Sequence, residues 1–224
     1  MNIRTTCLLV AVVGMLAGTS ASTWTEEARG VDVSHFQSDV DWKKVAASGI
    51  SFAFVKATEG EHFTDPKFKK NWKEIHAAGI KRGAYHFLEP SVDGKKQAEH
   101  FLAVAKLQPG DLLPVVDVEK IGKGGASELR KNLDAFLAEI RRATGRDAII
   151  YISPAFWEEH IEPGIKGSWK NPLWVAEYGV KKPRAMRGLP EWSIWQHTEK
   201  GEVAGIKGKV DLDTARGLEK LTLR

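Results

Sequence analysis

The chain has 224 residues, 42% hydrophobic and 28% charged, an ordinary balance for a globular protein and enough chain to bury one sizeable core. Its formal charge of +4 and pI near 9.0 come from scattered lysines with no aromatic-interleaved basic stripe, which argues against a nucleic-acid partner.

The first segment is of a different kind. Met1 to Arg4 is positive, Cys7 to Leu16 is apolar and Gly18 to Ser22 is small-residue, the three-part pattern of a secretory signal. The apolar run is too short to span a bilayer comfortably. The pattern predicts a signal peptide over residues 1–21 and one domain over residues 22–224, exported to the periplasm or the medium, with no membrane anchor after cleavage. The single cysteine, Cys7, leaves with the signal, so no disulfide is expected.

From Gly30 the chain alternates short apolar runs with amphipathic stretches. Gly30-Val31-Asp32-Val33-Ser34-His35 reads as a strand ending in an acid, followed by a short helix through Val40, Trp42, Val45 and Ala46. Ile50 to Val55 is a buried strand running out into Lys56 and Glu59. Asp65 with Pro66 opens a helix carrying Phe68, Trp72 and Ile75. The third strand is Gly83 to Leu88, followed by a helix over about Lys95 to Leu107. The fourth, Leu113 to Glu119, ends in two carboxylates one residue apart. Ser127 is the expected cap of a long helix bearing Leu129, Leu133, Phe136 and Ile140. Ala148 to Ile152 is the fifth strand, leading to a brief helix through Phe156 and Trp157.

Five strand-then-helix units predict parallel strands with right-handed helical crossovers. The rhythm then changes. Leu173 to Tyr178, Trp192 to His197 and Lys209 to Leu212 read as strands, but the gaps hold prolines and glycines without helical periodicity. Since a parallel crossover usually uses a helix, these three are expected to pair antiparallel, up, down, up. The fold class is α/β: an irregular TIM-like barrel of eight strands, with five helical crossovers and three trailing antiparallel-paired strands.

In such a barrel the chemistry lies where strands end. The rim then carries Asp32, Lys56, Glu59, Tyr85, His86, Asp117, Glu119, Tyr151, Ser153, Glu177 and Tyr178. Closure brings Asp211 beside Asp32. Alternation puts Asp117 and Glu119 on one face, and like charges there raise at least one pKa. Two carboxylates at a strand end, with Tyr85, Tyr178, Trp174 and Trp195 available to stack on sugars, point to glycoside hydrolysis. Neither an EF-hand loop nor a His-x-x-x-His pair is present, so no metal or other cofactor is expected, and the absence of a Gly-x-Ser-x-Gly elbow argues against a serine hydrolase. Two other readings of the same residues are a non-catalytic carbohydrate-binding protein and a metal-dependent polysaccharide deacetylase.

Seven segments in register carry a resemblance. They are Gly30-Val31-Asp32-Val33-Ser34 with Gln37, Val55 to Gly60, Gly83 to Phe87, Asp117-Val118-Glu119, Trp174 to Tyr178, Trp195-Gln196 and Val210 to Asp213. Together they resemble glycoside hydrolase family 25, lysozymes first described from Chalaropsis-type fungi and found also in bacteria and phages. The likeness runs from about Gly30 to Gly217. It implies hydrolysis of the β-1,4 bond between N-acetylmuramic acid and N-acetylglucosamine in peptidoglycan, by a monomer. Position by position it implies Glu119 as general acid and Asp117 as its partner carboxylate. Asp32 and Asp211 are implied as further active-site acids, and Tyr85 and Tyr178 as substrate contacts. Lys56, Glu59, His86, Trp174 and Gln196 complete the expected substrate-binding set, although a descending seventh strand would carry Gln196 away from the rim. The aspartates that precede such a pair in family 18 chitinases are missing, their positions held by Leu112 and Val115.

Spacing does not choose a stereochemical course. Residues two apart on a strand are roughly 6.6 Å apart at Cα. That falls between the separations of about 5–5.5 Å for retaining and about 6.5–9.5 Å for inverting carboxyl pairs. The resemblance implies retention, with Asp117 acting as nucleophile or orienting the substrate's N-acetyl group.

Overall fold

The structure, a computed structural model, describes residues 27–164 and 169–224; the expected signal lies outside them. Among the described residues nine strands form one sheet. Its order is β1 (Ala28–Val33), β9 (Val210–Ala215), β8 (Trp192–Gly201), β7 (Leu173–Ala176), β6 (Ile149–Ile152), β5 (Val115–Asp117), β4 (Lys81–Phe87) and β2 (Phe52–Glu59). Because β1 also pairs with β2, these eight strands close into a barrel. The two-residue β3 (Phe63–Thr64) is an addition, paired only with the end of β2. Helical crossovers are α1 (Trp42–Ala47), α2 (Phe68–Ala77), α3 (Gly94–Ala105), α4 (Gly125–Thr144) and the short α5 (Pro154–Phe156), which runs into a π-turn over Trp157–Ile161. The TIM-like barrel with five helical crossovers is thus present.

Two strands, β8 and β9, run the other way from expectation. β8 pairs with β7 in parallel, Trp174 beside Ile194 and Ala176 beside Gln196; of the eight barrel strands only β9 is antiparallel, to β8 on one side and β1 on the other. The β7–β8 crossover needs no helix because residues 177–191 are tied down without one. Glu177 accepts from the Arg184 guanidinium at 2.8 Å and from its backbone N–H, and Met186 is buried in the outer core. Two helix starts also move. α2 begins after Pro66, with Asp65 accepting from the Lys67 N–H at 2.8 Å, and α4 begins at Gly125, ahead of Ser127.

Strand alternation sorts the wall into two layers. Outward residues such as Val31, Val55, Val116, Ile150 and Val175 pack against the helices through Ile75, Phe101, Leu133 and Phe136. Inward residues form a smaller core of Phe52, Phe54, Val115, Ile149, Trp174, Ile194 and Ala215, which fills the lower barrel. Two inward glycines make the room. A Cβ on Gly30 would stand 2.2 Å from the Phe52 ring, and one on Gly83 2.1 Å from Phe54. Each parallel strand except β7, which steps from Trp174 to Ala176, then becomes polar one inward step higher: Gly30 to Asp32, Phe54 to Lys56, Gly83 to Tyr85, Val115 to Asp117, Ile149 to Tyr151, Ile194 to Gln196. On antiparallel β9 the order inverts, so Asp211 and Asp213 come before Ala215. The apolar floor and the polar mouth follow from that single step.

Candidate active site

The mouth is a cleft of about 300 Å³, lined among others by Asp32, Lys56, Tyr85, Asp117, Glu119, Tyr151, Trp174, Tyr178, Gln196 and Asp211. Asp117 and Glu119 share its wall as alternation requires, with Val116 and Val118 behind them in the outer core. Asp117 is almost wholly buried, and its Oδ1 meets no hydrogen-bond partner among the described residues. Glu119, just past the strand, reaches solvent.

Gln196 organises the opposite side. Its Nε2 donates to Asp32 Oδ2 at 2.8 Å, and its Oε1 accepts from the hydroxyls of Tyr151, at 2.9 Å, and Tyr178. The parallel direction of β8 is what brings Gln196 to the mouth, which removes the topological objection raised above. The Tyr151 hydroxyl also draws the Glu119 pKa downward, against the burial that raises it. Beneath them Trp174 donates its indole N–H to Asp213 Oδ1 at 2.9 Å and forms the cleft floor.

Lys56 is the cation among the cleft-lining residues. Its ammonium lies 2.5 Å from Glu59 and 4.7 Å from the centre of the Phe87 ring. Glu59 stands beside the cleft in an ion-pair network with Lys56 and Lys120. Burial tends to raise its carboxyl, but the two ammoniums outweigh that and its pKa falls below the usual value.

The electrostatics of the acids run the other way. Burial, then repulsion from Glu119 and Asp32, lifts Asp117 well above the usual carboxylate range. Burial and the nearby Asp211 do the same for Asp32. Glu119 is also raised, chiefly by desolvation on the cleft wall, against the pull of Tyr151, Lys56 and Lys120. Asp211 is raised to about 6 by burial and by Glu199. These four acids, each raised by desolvation and three of them also by a like-charged neighbour, cannot all ionise as readily as free carboxylates, the condition for a proton donor beside an ionised partner.

A family model described as glycosyl hydrolases family 25 matches residues 31–206. The chain belongs to this family. It is therefore a glycoside hydrolase. Lysozyme M1 of Streptomyces globisporus is 36% identical over 208 residues, covering 86% of this chain and 69% of that protein. An uncharacterized protein, YegX, of Escherichia coli O157:H7 is 39% identical over 196 residues, covering 85% and 70%. The crystal structure of a bacterial lysozyme from Streptomyces coelicolor superposes with a TM-score of 0.79 at 34% identity, covering 88% of this chain and 96% of that one.

Within this family-25 chain, not every expected residue faces the cleft. His86 is a correction: its side chain is wholly buried outside the barrel wall. There it bonds to Thr58 Oγ1 at 2.7 Å and Gln97 Oε1 at 3.0 Å, and stacks on Phe136. Consecutive strand residues face opposite sides, so once Tyr85 points inward His86 points out. Burial lowers its pKa to about 4, which keeps it neutral. A β-bulge between Lys56 and Thr58 turns Thr58 outward to meet it. Trp195 is likewise outside the cleft lining, its indole N–H donating to the Glu177 carbonyl at 2.8 Å. Sequence reasoning missed Asp213 beneath the cleft, and Glu199 and Phe36, which line it. Alternation from Asp211 is enough to find Asp213; Glu199 and Phe36 carry no comparable signal, since the irregular end of β8 and the turn after β1 place them.

Proposed function

We propose that this chain hydrolyses the β-1,4 bond between N-acetylmuramic acid and N-acetylglucosamine in peptidoglycan, with retention of configuration. The observation that carries the reading is the pair Asp117 and Glu119 on one cleft wall, one buried and one open to solvent, in a family-25 barrel. Glu119, protonated, gives its proton to the leaving sugar oxygen as the glycosidic C–O bond breaks. The substrate's N-acetyl carbonyl oxygen closes on the anomeric carbon, while the unpartnered Oδ1 of Asp117 accepts from the amide N–H. Glu119, now ionised, takes a proton from the water that opens the ring, and two inversions leave the configuration unchanged. Direct attack by Asp117 on the anomeric carbon is the second retaining course, and the same buried oxygen would perform it. Asp32 and Asp211 contact substrate hydroxyls, with Tyr85, Tyr178, Trp174, Lys56 and Gln196 shaping the cleft. A substrate outside the cytoplasm agrees with the expected signal over residues 1–21.

Mass spectrometry of digested peptidoglycan tests this reading. The expected products carry N-acetylmuramic acid at the reducing end. Glu119→Gln is expected to lower kcat by about 10²–10⁴, with KM little changed. Acetate release without chain cleavage, or near-native activity of Glu119→Gln, would overturn it.

A further inference from the structure

Among the described residues the large hydrophobic side chains that face solvent are Phe36, Phe63, Tyr178 and Val180. Isolated exposed apolar groups are ordinary on a protein surface. These are not scattered. Phe36 and Tyr178 both line the catalytic cleft, Val180 follows Tyr178 by two residues, and Phe63 joins Phe36 through His35. An apolar patch rimming a cleft marks a contact surface.

Phe36 is the extreme case, 80% exposed yet rigidly held. It sits in a 3₁₀ turn, His35–Gln37, closed by a reciprocal capping box between Ser34 and Gln37. The Ser34 N–H donates to Gln37 Oε1 at 2.9 Å and the Phe36 N–H to Ser34 Oγ at 3.3 Å. Its ring packs 4.2 Å from the His35 ring, which lies 6.0 Å from Phe63. His35 is itself fixed by the buried Asp65, which lies 2.8 Å from its Nδ1 and accepts from its backbone N–H at 3.0 Å. Anchoring an exposed phenyl ring through a buried carboxylate contributes nothing to the core. It holds a flat apolar face at the cleft edge, and such a face suits the C–H side of a pyranose ring.

We propose that Phe36, backed by His35 and Phe63, is a sugar-stacking platform. It binds a ring of the same glycan strand beyond the sugars flanking the cleaved bond, so that the enzyme favours long strands over short oligomers. The proposal rests on the glycan-hydrolase reading above and adds a specificity determinant to it.

The test compares wild type, Phe36→Ala and Phe36→Tyr on long uncross-linked glycan strands and on the shortest oligomer that is cleaved. Phe36→Ala is expected to raise KM on long strands about fivefold, with kcat within about a factor of two, and to leave both constants unchanged on the short oligomer. Phe36→Tyr restores the wild-type KM. Because the side chain is exposed, the melting temperature of Phe36→Ala should match wild type, which separates a binding defect from misfolding. An equal effect on both substrates, or none on long strands, would overturn the platform. Wild-type protein that cleaves neither substrate fails the parent reading instead. The platform is then judged by calorimetric binding of long strands, and equal affinity of wild type and Phe36→Ala overturns it.

Discussion

Replacing Lys56 by methionine removes the cation among the cleft-lining residues while keeping most of the side chain's volume. Its ammonium lowers the pKa of both Asp117 and Glu119, so its loss moves both upward. Unit charges about 6 Å apart at an effective dielectric between 20 and 80 interact by roughly 1–3 kcal/mol, of which solvent at the open cleft leaves the lower part. That corresponds to about one pH unit. In the proposed mechanism Asp117 acts ionised and Glu119 protonated, so the acid and basic limbs of the kcat/KM profile are both expected to move to higher pH. At mildly acidic pH the variant is slower than wild type; on the alkaline side the deficit shrinks or reverses. The fold bears a separate cost. Breaking a fully buried ion pair costs about 3–5 kcal/mol. Here the Glu59 side chain is 30% exposed and keeps Lys120 at 3.3 Å, which reduces the loss to about 1–2 kcal/mol. Lys56→Arg retains the charge and should keep the wild-type profile. Turbidity clearing of cell walls from pH 4 to 9, with urea unfolding in parallel, reads both effects. A Lys56→Met profile that stays in place or moves to lower pH would refute the electrostatic reasoning.

Two further outcomes concern stability. The pKa of Asp211 is raised from the usual aspartate value to about 6, so its contribution is fully present below the unfolded pKa and is lost as pH rises through 6. Asp211→Asn should therefore gain on wild type between pH 4 and 7, by about 1 kcal/mol once exposure is allowed for; a constant difference in urea midpoint across that range would contradict it. Gly83→Ala forces a methyl to 2.1 Å from the Phe54 ring and 3.1 Å from Leu112. It should destabilise the barrel by about 1–3 kcal/mol, and an unchanged urea midpoint would show that the inner layer is looser than its geometry.

Period-two alternation made most of the barrel wall and much of the cleft readable from the chain. It paired Asp117 with Glu119, and closure brought Asp211 opposite Asp32, where the two are direct register partners. The same rule, applied strictly, excludes His86 from the cleft once Tyr85 is inside. The directions of β8 and β9 were not legible, because local periodicity reports helices and residues 177–191 join β7 to β8 as coil. Gln196 and Phe36 were hard to assign for a related reason. Their roles depend on contacts between segments far apart in the chain, such as Gln196 with Asp32 and His35 with Asp65.

The inverted strand β9 has a consequence for how the protein is made. It supplies Asp211 and Asp213 to the mouth and also seals β8 to β1. Until that stretch emerges during synthesis, β1 and β8 present unpaired edges and the cleft lacks two of its acids. Closure of the barrel and completion of the acid-lined cleft are therefore one event. A nascent chain lacking β9 has an incomplete set of cleft carboxylates, whatever its other strands have already formed.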